Sequence, residues 1–282
     1  MSDLLYSALR NPSLKRILSD VRTVCTQLNL DFFAVGALAR NIWYAANELP
    51  PRGTKDLDFA LYIPNRTVYN HLRQALIGEL GYIPAPCNAF CLISPYGVPV
   101  DLLPFGEIEE EGKVLVEGQG LVEIKLDGFA ETYQNALINV SIEEDTLSVC
   151  TIPAVVLLKL IAFDDRPEQR PNDPSDIDAV LRHYPHLEAD LIWDEYDFLY
   201  GDDSDHETIG VEVLGHEVSK IIRNNRELYV RVLRILDDGI AERSTLARRM
   251  VSPDAVEPIV RKMGRLEALR RGVVEGLRRL DQ

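Results

Sequence analysis

Short apolar runs alternate with segments of helical periodicity through the first half of the chain. Runs bounded by turn residues predict strands, at residues 31–35, 57–63, 90–93 and 98–103. Apolar residues spaced three and four positions apart predict one or two helices over 4–28 and further helices over 38–47 and 67–80. Weaker strand patterns follow at 114–116, 121–124, 136–140 and 147–149. Pro99 predicts that the strand at 98–103 is paired incompletely near its start, as at a sheet edge, because proline cannot donate to a neighbouring strand.

The pattern becomes helical from Pro153 onward. Pro153 fits the first turn of a helix that runs through Ala162, since proline is tolerated there. Pro174 fits the first turn of the next helix, with Asp173 as its N-cap. The order of elements predicts an α/β (α+β) fold, a small mixed sheet flanked by helices and followed by a helical C-terminal region. We predict its regions as residues 1–150, a helical segment at 151–200, and a helical region at 201–282.

Composition and charge limit the function classes. The chain has 282 residues, of which 46% are hydrophobic and 27% charged, as in an ordinary soluble protein. It has no apolar run of the length that a membrane span needs and no signal-peptide pattern at its start, so we expect a cytoplasmic protein without membrane contact. The net charge of −15 opposes broad attraction to nucleic acid, so any RNA-binding surface must be local.

Three acidic residues carry the candidate chemistry. Asp56 and Asp58 are two positions apart, so on a strand their side chains point to one face, about 7 Å from each other. Their mutual repulsion would be relieved by a bound divalent cation, and Asp101, embedded in another apolar strand, is a third candidate ligand. The alternative for the first two is a solvent-facing strand edge. Gly36 marks a turn that opens a helix, where backbone N–H groups favour phosphate, and Arg40 one turn later either reaches that phosphate or is an ordinary surface arginine.

Taken in order, Gly36-Ala37, a helix, Asp56-x-Asp58 and the later Asp101 resemble the nucleotidyltransferase superfamily. Lys159, Ala162 and Arg166, followed by Asp173 and Asp176, are similar to a signature of one branch of it, the AbiEii/AbiGii-type nucleotidyltransferase-like toxins of bacterial abortive-infection and toxin–antitoxin systems. The resemblance covers roughly residues 30–185. Ala37 stands where the family usually has Ser or Gly, and Asn172 where it usually has a basic residue.

The resemblance implies an enzyme, active with Mg²⁺ or Mn²⁺, that moves a nucleoside monophosphate from an NTP substrate to a hydroxyl. Residues 1–150 would form the catalytic domain, and residues 151–200 would complete the active site. In the family the acceptor can be the 3′ end of tRNA, and a cognate antitoxin restrains the activity, which serves phage defence. The residues that would hold the metal are Asp56, Asp58 and Asp101, with Lys159 as a further catalytic residue. The residues that would bind the nucleotide are Gly36, Ala37, Arg40, Thr54, Lys159, Arg166 and Asp176.

Several alternatives stay open. The enzyme could modify a small molecule such as an antibiotic, or a protein side chain, or the chain could be a catalytically silent nucleotide-binding module. Lys159 lies in an apolar helix, so its amine either contacts phosphate or crosses the core to reach water. Asp173 and Asp176 either anchor this pair of helices through Lys159 or Arg166, or touch the active site. A basic helix from about residue 261 either packs with a solvated face or contacts RNA or an acidic partner, through Arg261, Lys262, Arg265, Arg270 and Arg271.

Overall fold

The structure, a computed structural model, describes residues 4–9, 11–201, 205–250 and 257–280. The chain divides into two units. The first takes in the residues up to Tyr133 together with Leu137–Thr151, and the second takes in Gln134–Ala136 and the residues from Ile152 onward. The fold class predicted from the sequence is confirmed, since a mixed sheet flanked by helices is followed by a helical region. None of the described helices combines the length and the apolar character that a bilayer span requires.

The first unit is built on a seven-stranded sheet and a separate two-stranded ribbon. The strands are β1 (Phe32–Ala34), β2 (Leu57–Tyr62), β3 (Ile83–Pro84), β4 (Cys91–Ile93), β5 (Pro99–Phe105), β6 (Lys113–Leu115), β7 (Glu123–Lys125), β8 (Leu137–Ile142) and β9 (Asp145–Cys150). The helices that begin in this unit are α1 (Leu14–Leu28), α2 (Gly36–Ala46), α3 (Arg66–Leu80) and α4 (Phe129–Asn135), and a 3₁₀ turn covers Tyr6–Leu9. The strand order in the large sheet is β3-β4-β5-β2-β1-β9-β8, and β6 pairs with β7.

The centre of the sheet is formed by β2 and β5, which pair in parallel. Strands in this position are covered on both faces and need continuous apolar sequence, and the side chains of Leu57, Phe59 and Leu102 are fully buried. The incomplete pairing predicted near the start of β5 is confirmed, because Pro99 pairs with Ile93 of β4 and the ladder with β2 begins only at Val100, but β5 is an inner strand and not an edge. Pro99 is the first residue of its strand, where the missing N–H removes little from the ladder.

The second unit is helical. Its helices are α5 (Ile152–Asp165), α6 (Asp173–Leu187), α7 (Ala189–Glu195), α8 (His206–Ile222), α9 (Arg226–Ile240), α10 (Thr245–Arg249) and α11 (Ile259–Leu280), with a 3₁₀ turn at Asp197–Leu199. The helix α5 is apolar on all sides and is accordingly buried along most of its length. The helices α8 and α11 approach so closely that a Cβ on Gly272 would lie 1.9 Å from the carbonyl oxygen of Glu212.

Candidate active site

The side chains of Asp58 and Asp101 stand side by side at the centre of the first unit. Asp58 is the second residue of β2, Asp101 is the third of β5, and the two are register partners in the parallel ladder. Register partners point to the same face of the sheet, and neighbouring strands are about 4.8 Å apart. Both side chains are half-buried. Two carboxylates at this separation repel each other, and a cation bound between them would relieve that repulsion.

The backbone at Gly36 lies against the carboxylate of Asp58. The strand β1 ends beside β2, where the N–H of Val35 donates to the carbonyl oxygen of Asp58 at 3.1 Å. Gly36 then turns the chain into α2 with a φ of +61°, which side chains other than glycine rarely adopt. A Cβ at this position would lie 2.5 Å from Oδ2 of Asp58. Any side chain here would displace the Asp58 carboxylate, and the N-terminus of α2 opens beside the acidic pair.

Two residues near Asp101 are missing from the sequence-based site. The side-chain amide of Asn88 donates to Oδ1 of Asp101 at 3.3 Å. Cys91 of β4 is the register partner of Asp101 on its other side, and burial together with the Asp101 carboxylate raises the pKa of its thiol. The hairpin could have indicated Cys91, because a turn around Pro95–Gly97 sets Ser94 opposite Val98, position 93 opposite 99 and therefore 91 opposite 101.

Asp56 lies in a bend immediately before β2 and is exposed, whereas Asp58 is within the strand. The prediction that the two acids lie on one strand is therefore wrong, because only Asp58 lies within β2. The hydroxyl of Thr54 lies 2.9 Å from Oδ1 of Asp56 and 2.8 Å from its carbonyl oxygen, so Thr54 orients Asp56. Among the described residues, no group of three or more His, Cys, Asp or Glu side chains has the arrangement of a preformed metal site.

The predicted phosphate-binding residues of α2 lie in its first two turns. Ala37 is half-buried in the first turn. Arg40 is only 3% exposed, so the alternative of an ordinary surface arginine is wrong. Its guanidinium donates to Oδ1 of Asn41 at 3.1 Å and lies 6.0 Å from the ring centroid of Tyr44. The Asn41 amide in turn donates to the carbonyl oxygen of Arg52 at 2.7 Å, which fixes this part of the helix. Phosphate binding by Ala37 and Arg40 stays a prediction.

Lys159 belongs to a buried ionic group within the second unit. Its Nζ lies 2.6 Å from Oδ1 of Asp173 and 3.0 Å from Oδ2 of Asp176. Burial lowers the pKa of Lys159, but the two carboxylates outweigh it, and the pKa is raised. The alternative in which the amine reaches water is wrong, since Lys159 is buried. These contacts match the alternative in which the two acids anchor α5 to α6.

Asp173 does not cap α6, so that prediction is wrong. The N-cap is Asn172, which makes no side-chain capping bond, and Asp173 is the first helical residue. Its carboxylate binds Lys159 instead, because a buried ammonium gains more from a charged partner than a helix end does from a cap. Arg166 follows the last residue of α5, and its N–H still donates to the carbonyl oxygen of Ala162 at 3.2 Å. Nucleotide binding by Lys159, Arg166 and Asp176 stays a prediction.

The basic side chains of α11 are mostly engaged within the second unit. Arg265 is 6% exposed, and its guanidinium bonds to the carboxylates of Asp178, Glu207 and Glu257 at 2.6–2.9 Å. Lys262 is also buried. Three further arginines among these residues form ion pairs, Arg261 with Glu257, Arg270 with Asp237, and Arg271 with Glu212. Most of the basic residues that the sequence offered for RNA binding therefore neutralise acids of the same unit.

No protein-family model and no curated protein matches the sequence. Two solved structures are similar to the chain. One is an antigenic nucleotidyltransferase-like protein from Paracoccidioides brasiliensis, 14% identical, with a TM-score of 0.38 over 70% of this chain and 93% of that one. The other is the antibiotic-resistance factor ANT(2'')-Ia, 14% identical, with a TM-score of 0.37 over 65% of this chain and 87% of that one. Structural similarity of this degree supports no inference about the activity of this protein.

Proposed function

We propose that the protein is a nucleotidyltransferase that uses Mg²⁺ or Mn²⁺ to move a nucleoside monophosphate from an NTP to a hydroxyl acceptor. The observation that carries the proposal is the register pairing of Asp58 with Asp101 beside the turn at Gly36. The order of motifs along the chain, glycine turn, helix, acidic pair and later acid, supports the same activity.

The donor set suits Mg²⁺ or Mn²⁺. Both ions prefer oxygen ligands, and Mg²⁺ usually binds through one or two carboxylates together with substrate phosphates and water. Asp58 and Asp101 would supply these carboxylates, so a preformed group of three side chains is not needed. Asp56, exposed and next to the strand, would complete the set once the triphosphate is bound. The amide of Asn88 would hold Asp101 in position as an outer-shell donor.

The residues of the site would have separate roles in nucleotidyl transfer. The N-terminal N–H groups of α2, beginning at Gly36, would bind the triphosphate, and Ala37 would contribute only its backbone. The bound metal would neutralise phosphate charge and polarise the α-phosphorus. The acceptor oxygen forms a bond to that phosphorus while the bond to pyrophosphate breaks, and the hydroxyl proton passes to Asp101 or to water. Each acidic residue would thus stabilise charge that develops only during transfer.

The motif from Lys159 to Asp176 extends the proposal to an RNA acceptor, such as the tRNA 3′ end, and to a toxin restrained by an antitoxin. The buried position of Lys159 between two carboxylates favours a structural part for it in that motif. Transfer to a small molecule or protein, and silent nucleotide binding, are the outcomes that compete with this interpretation. They differ in which acceptor, if any, becomes labelled.

The test combines transfer and stability. The purified protein is incubated with each α-labelled NTP, Mg²⁺ or Mn²⁺, and total RNA, protein or aminoglycoside acceptors. Asp58→Asn and Asp101→Asn should each reduce labelling about 100-fold or more, because each removes several kcal/mol of charge stabilisation. Glu117→Gln, an exposed change in the same unit, should leave labelling unchanged.

Melting temperature distinguishes the outcomes. Metal and NTP together should raise the melting temperature of the wild type and of Glu117→Gln, but not of the two aspartate variants. A rise without any labelled acceptor would favour the silent module. Undiminished labelling by both Asp58→Asn and Asp101→Asn would exclude the proposed site.

A further inference from the structure

A cleft of about 590 Å³ lies within the second unit, away from the acidic pair in sequence. Its described lining consists of Glu168, Pro171 and Ser175 from the end of α5 to the first turn of α6, and of Arg248 and Arg249 from α10. Residues of two chain segments far apart in sequence thus meet around a space of ligand size.

The two arginines of the cleft have no carboxylate partner among the described residues. Arg248 makes one long bond, from NH2 to the carbonyl oxygen of Glu242 at 3.5 Å. Arg249 donates from NH1 to the carbonyl oxygen of Pro167 at 2.7 Å and lies 5.9 Å from the ring centroid of Phe163. These contacts hold the Arg249 side chain in place without neutralising it. Among the described residues, no carboxylate takes its remaining donors, which can face an anion.

The chain has 45 acidic and 30 basic residues, and many arginines of the same unit pair with its own acids, among them Arg231, Arg234, Arg265, Arg270 and Arg271. Other exposed arginines, such as Arg243, also have no carboxylate partner among the described residues. Arg248 and Arg249 differ from these because they are adjacent and line a cleft, where they mark a local positive site, and planar guanidinium forks match phosphate oxygens.

The other lining residues narrow the class of ligand. The hydroxyl of Ser175 donates to the carbonyl oxygen of Asn172 at 2.8 Å, but its backbone N–H is in the first turn of α6, where no intrahelical partner exists. Glu168 is exposed, and its carboxylate can only accept hydrogen bonds. A ligand must therefore combine an anion for the arginines with a hydroxyl donor for Glu168.

We propose that this cleft binds a ribonucleotide, with its phosphate on Arg248 and Arg249 and a ribose hydroxyl on Glu168. Such a group comes either from an RNA chain or from a free nucleotide. The proposal is independent of the transfer reaction, because it concerns binding in the second unit alone.

The experiment measures binding of a fluorescein-labelled oligoribonucleotide and its deoxy counterpart to the full-length protein in EDTA, where metal-dependent transfer cannot occur. Arg248→Glu should weaken binding of the oligoribonucleotide about tenfold or more, because it replaces a phosphate partner with a like charge. Arg243→Glu, an equal charge change at an exposed residue outside the cleft, should weaken it less than about threefold. Glu168→Gln should reduce the ratio of the affinity for the oligoribonucleotide to the affinity for its deoxy counterpart.

Competition by ATP distinguishes the two sources. If ATP displaces the oligoribonucleotide from the wild type and Arg248→Glu weakens both, the cleft takes free nucleotides; if ATP does not displace it, the cleft takes RNA. Either result supports the proposal. Equal weakening by Arg248→Glu and Arg243→Glu, or absence of binding by the wild type to both probes, would overturn it. Equal affinity for the ribo and deoxy forms would overturn the part assigned to Glu168.

Discussion

Replacement of Gly36 by alanine tests the geometry of the proposed active site. The φ of +61° places an alanine in the left-handed region, which costs about 1–2 kcal/mol of folding free energy. The new Cβ would also lie 2.5 Å from Oδ2 of Asp58, whereas ordinary contact begins at 3.4 Å. The nearest atom is the end of a side chain that can rotate, so the carboxylate and not the backbone should move.

The size of that movement sets the expected loss of activity. From 2.5 Å to 3.4 Å the carboxylate oxygen must shift by about 1 Å away from Gly36. A displacement of this size at a reacting centre costs about 100-fold in rate. We therefore expect Gly36→Ala to lose about 1–2 kcal/mol of stability, measured by urea unfolding, and about 100-fold in nucleotidyl transfer.

Two further glycines provide matched controls. Gly97 has a φ of +75°, and no atom lies within 4 Å of the position that a Cβ would take, so Gly97→Ala should lose similar stability but keep full transfer activity. Gly78 lies exposed within α3 with equally open surroundings, so Gly78→Ala should gain about 0.5–1 kcal/mol. If Gly36→Ala behaves like Gly97→Ala in both assays, the position of the Asp58 carboxylate does not matter for transfer, and the reasoning is wrong.

Two predictions concern the second unit and are measured by urea unfolding across pH. Lys159→Met should lose about 3–5 kcal/mol at pH 8, because Asp173 and Asp176 remain buried without a cation. In the wild type, the raised pKa of Lys159 contributes stability below pH 10.5 that is lost as pH rises further. Burial and, to a lesser extent, the charges of Glu217 and Asp190 raise the pKa of Glu188 to about 7. The free energy of unfolding of the wild type should therefore fall as the pH rises from 4.5 to 7. Glu188→Gln should remove this dependence and be about 1–3 kcal/mol more stable at pH 8; unchanged stability there would contradict the buried charge.

The local elements of the first unit could be predicted from the sequence because they depend on short-range patterns. The apolar runs place β1, β2, β4 and β5 within two residues of their observed ends. Their boundaries follow from turn residues and from the period of burial, which a chain carries wherever it folds. The predicted start of α2 was two residues late, since the helix begins at Gly36 itself and not after the turn, and the short helix α4 was not predicted.

The pairing that forms the site could not be predicted in the same way. Asp58 and Asp101 are brought together by the order of strands, which depends on contacts between distant segments. Pro99 indicated incomplete pairing near the start of β5 but not the strand order, because a proline at the first residue of a strand is compatible with an inner strand as well as with an edge. The hairpin register that places Cys91 beside Asp101 was readable, since it depends only on the turn between them.

In the second unit, the local preference of aspartate for the helix N-cap does not decide the role of Asp173. Its ion pair with a lysine distant in sequence decides it. The Asn-Asp-Pro sequence before α6 predicts a capping aspartate, yet Asp173 binds Lys159, fourteen residues earlier. A lysine inside an apolar helix needs a negative partner, and this requirement could have indicated the ion pair from the sequence. Which acid supplies the charge depends on how α6 packs against α5, and that packing is not a property of either segment alone.

A run of basic residues indicates a nucleic-acid-binding surface only where those residues do not form ion pairs within the protein. The sequence of α11 predicts a basic surface, yet Arg265, Arg270 and Arg271 face carboxylates of the same unit and present little free charge. Arg248 and Arg249 have no carboxylate partner among the described residues and line a cleft together, so they are better candidates for an anion contact than a basic run whose members are paired. This reasoning moves the expected nucleic-acid contact from the last helix to Arg248 and Arg249, and it requires that Arg271→Glu affect oligoribonucleotide binding less than Arg248→Glu.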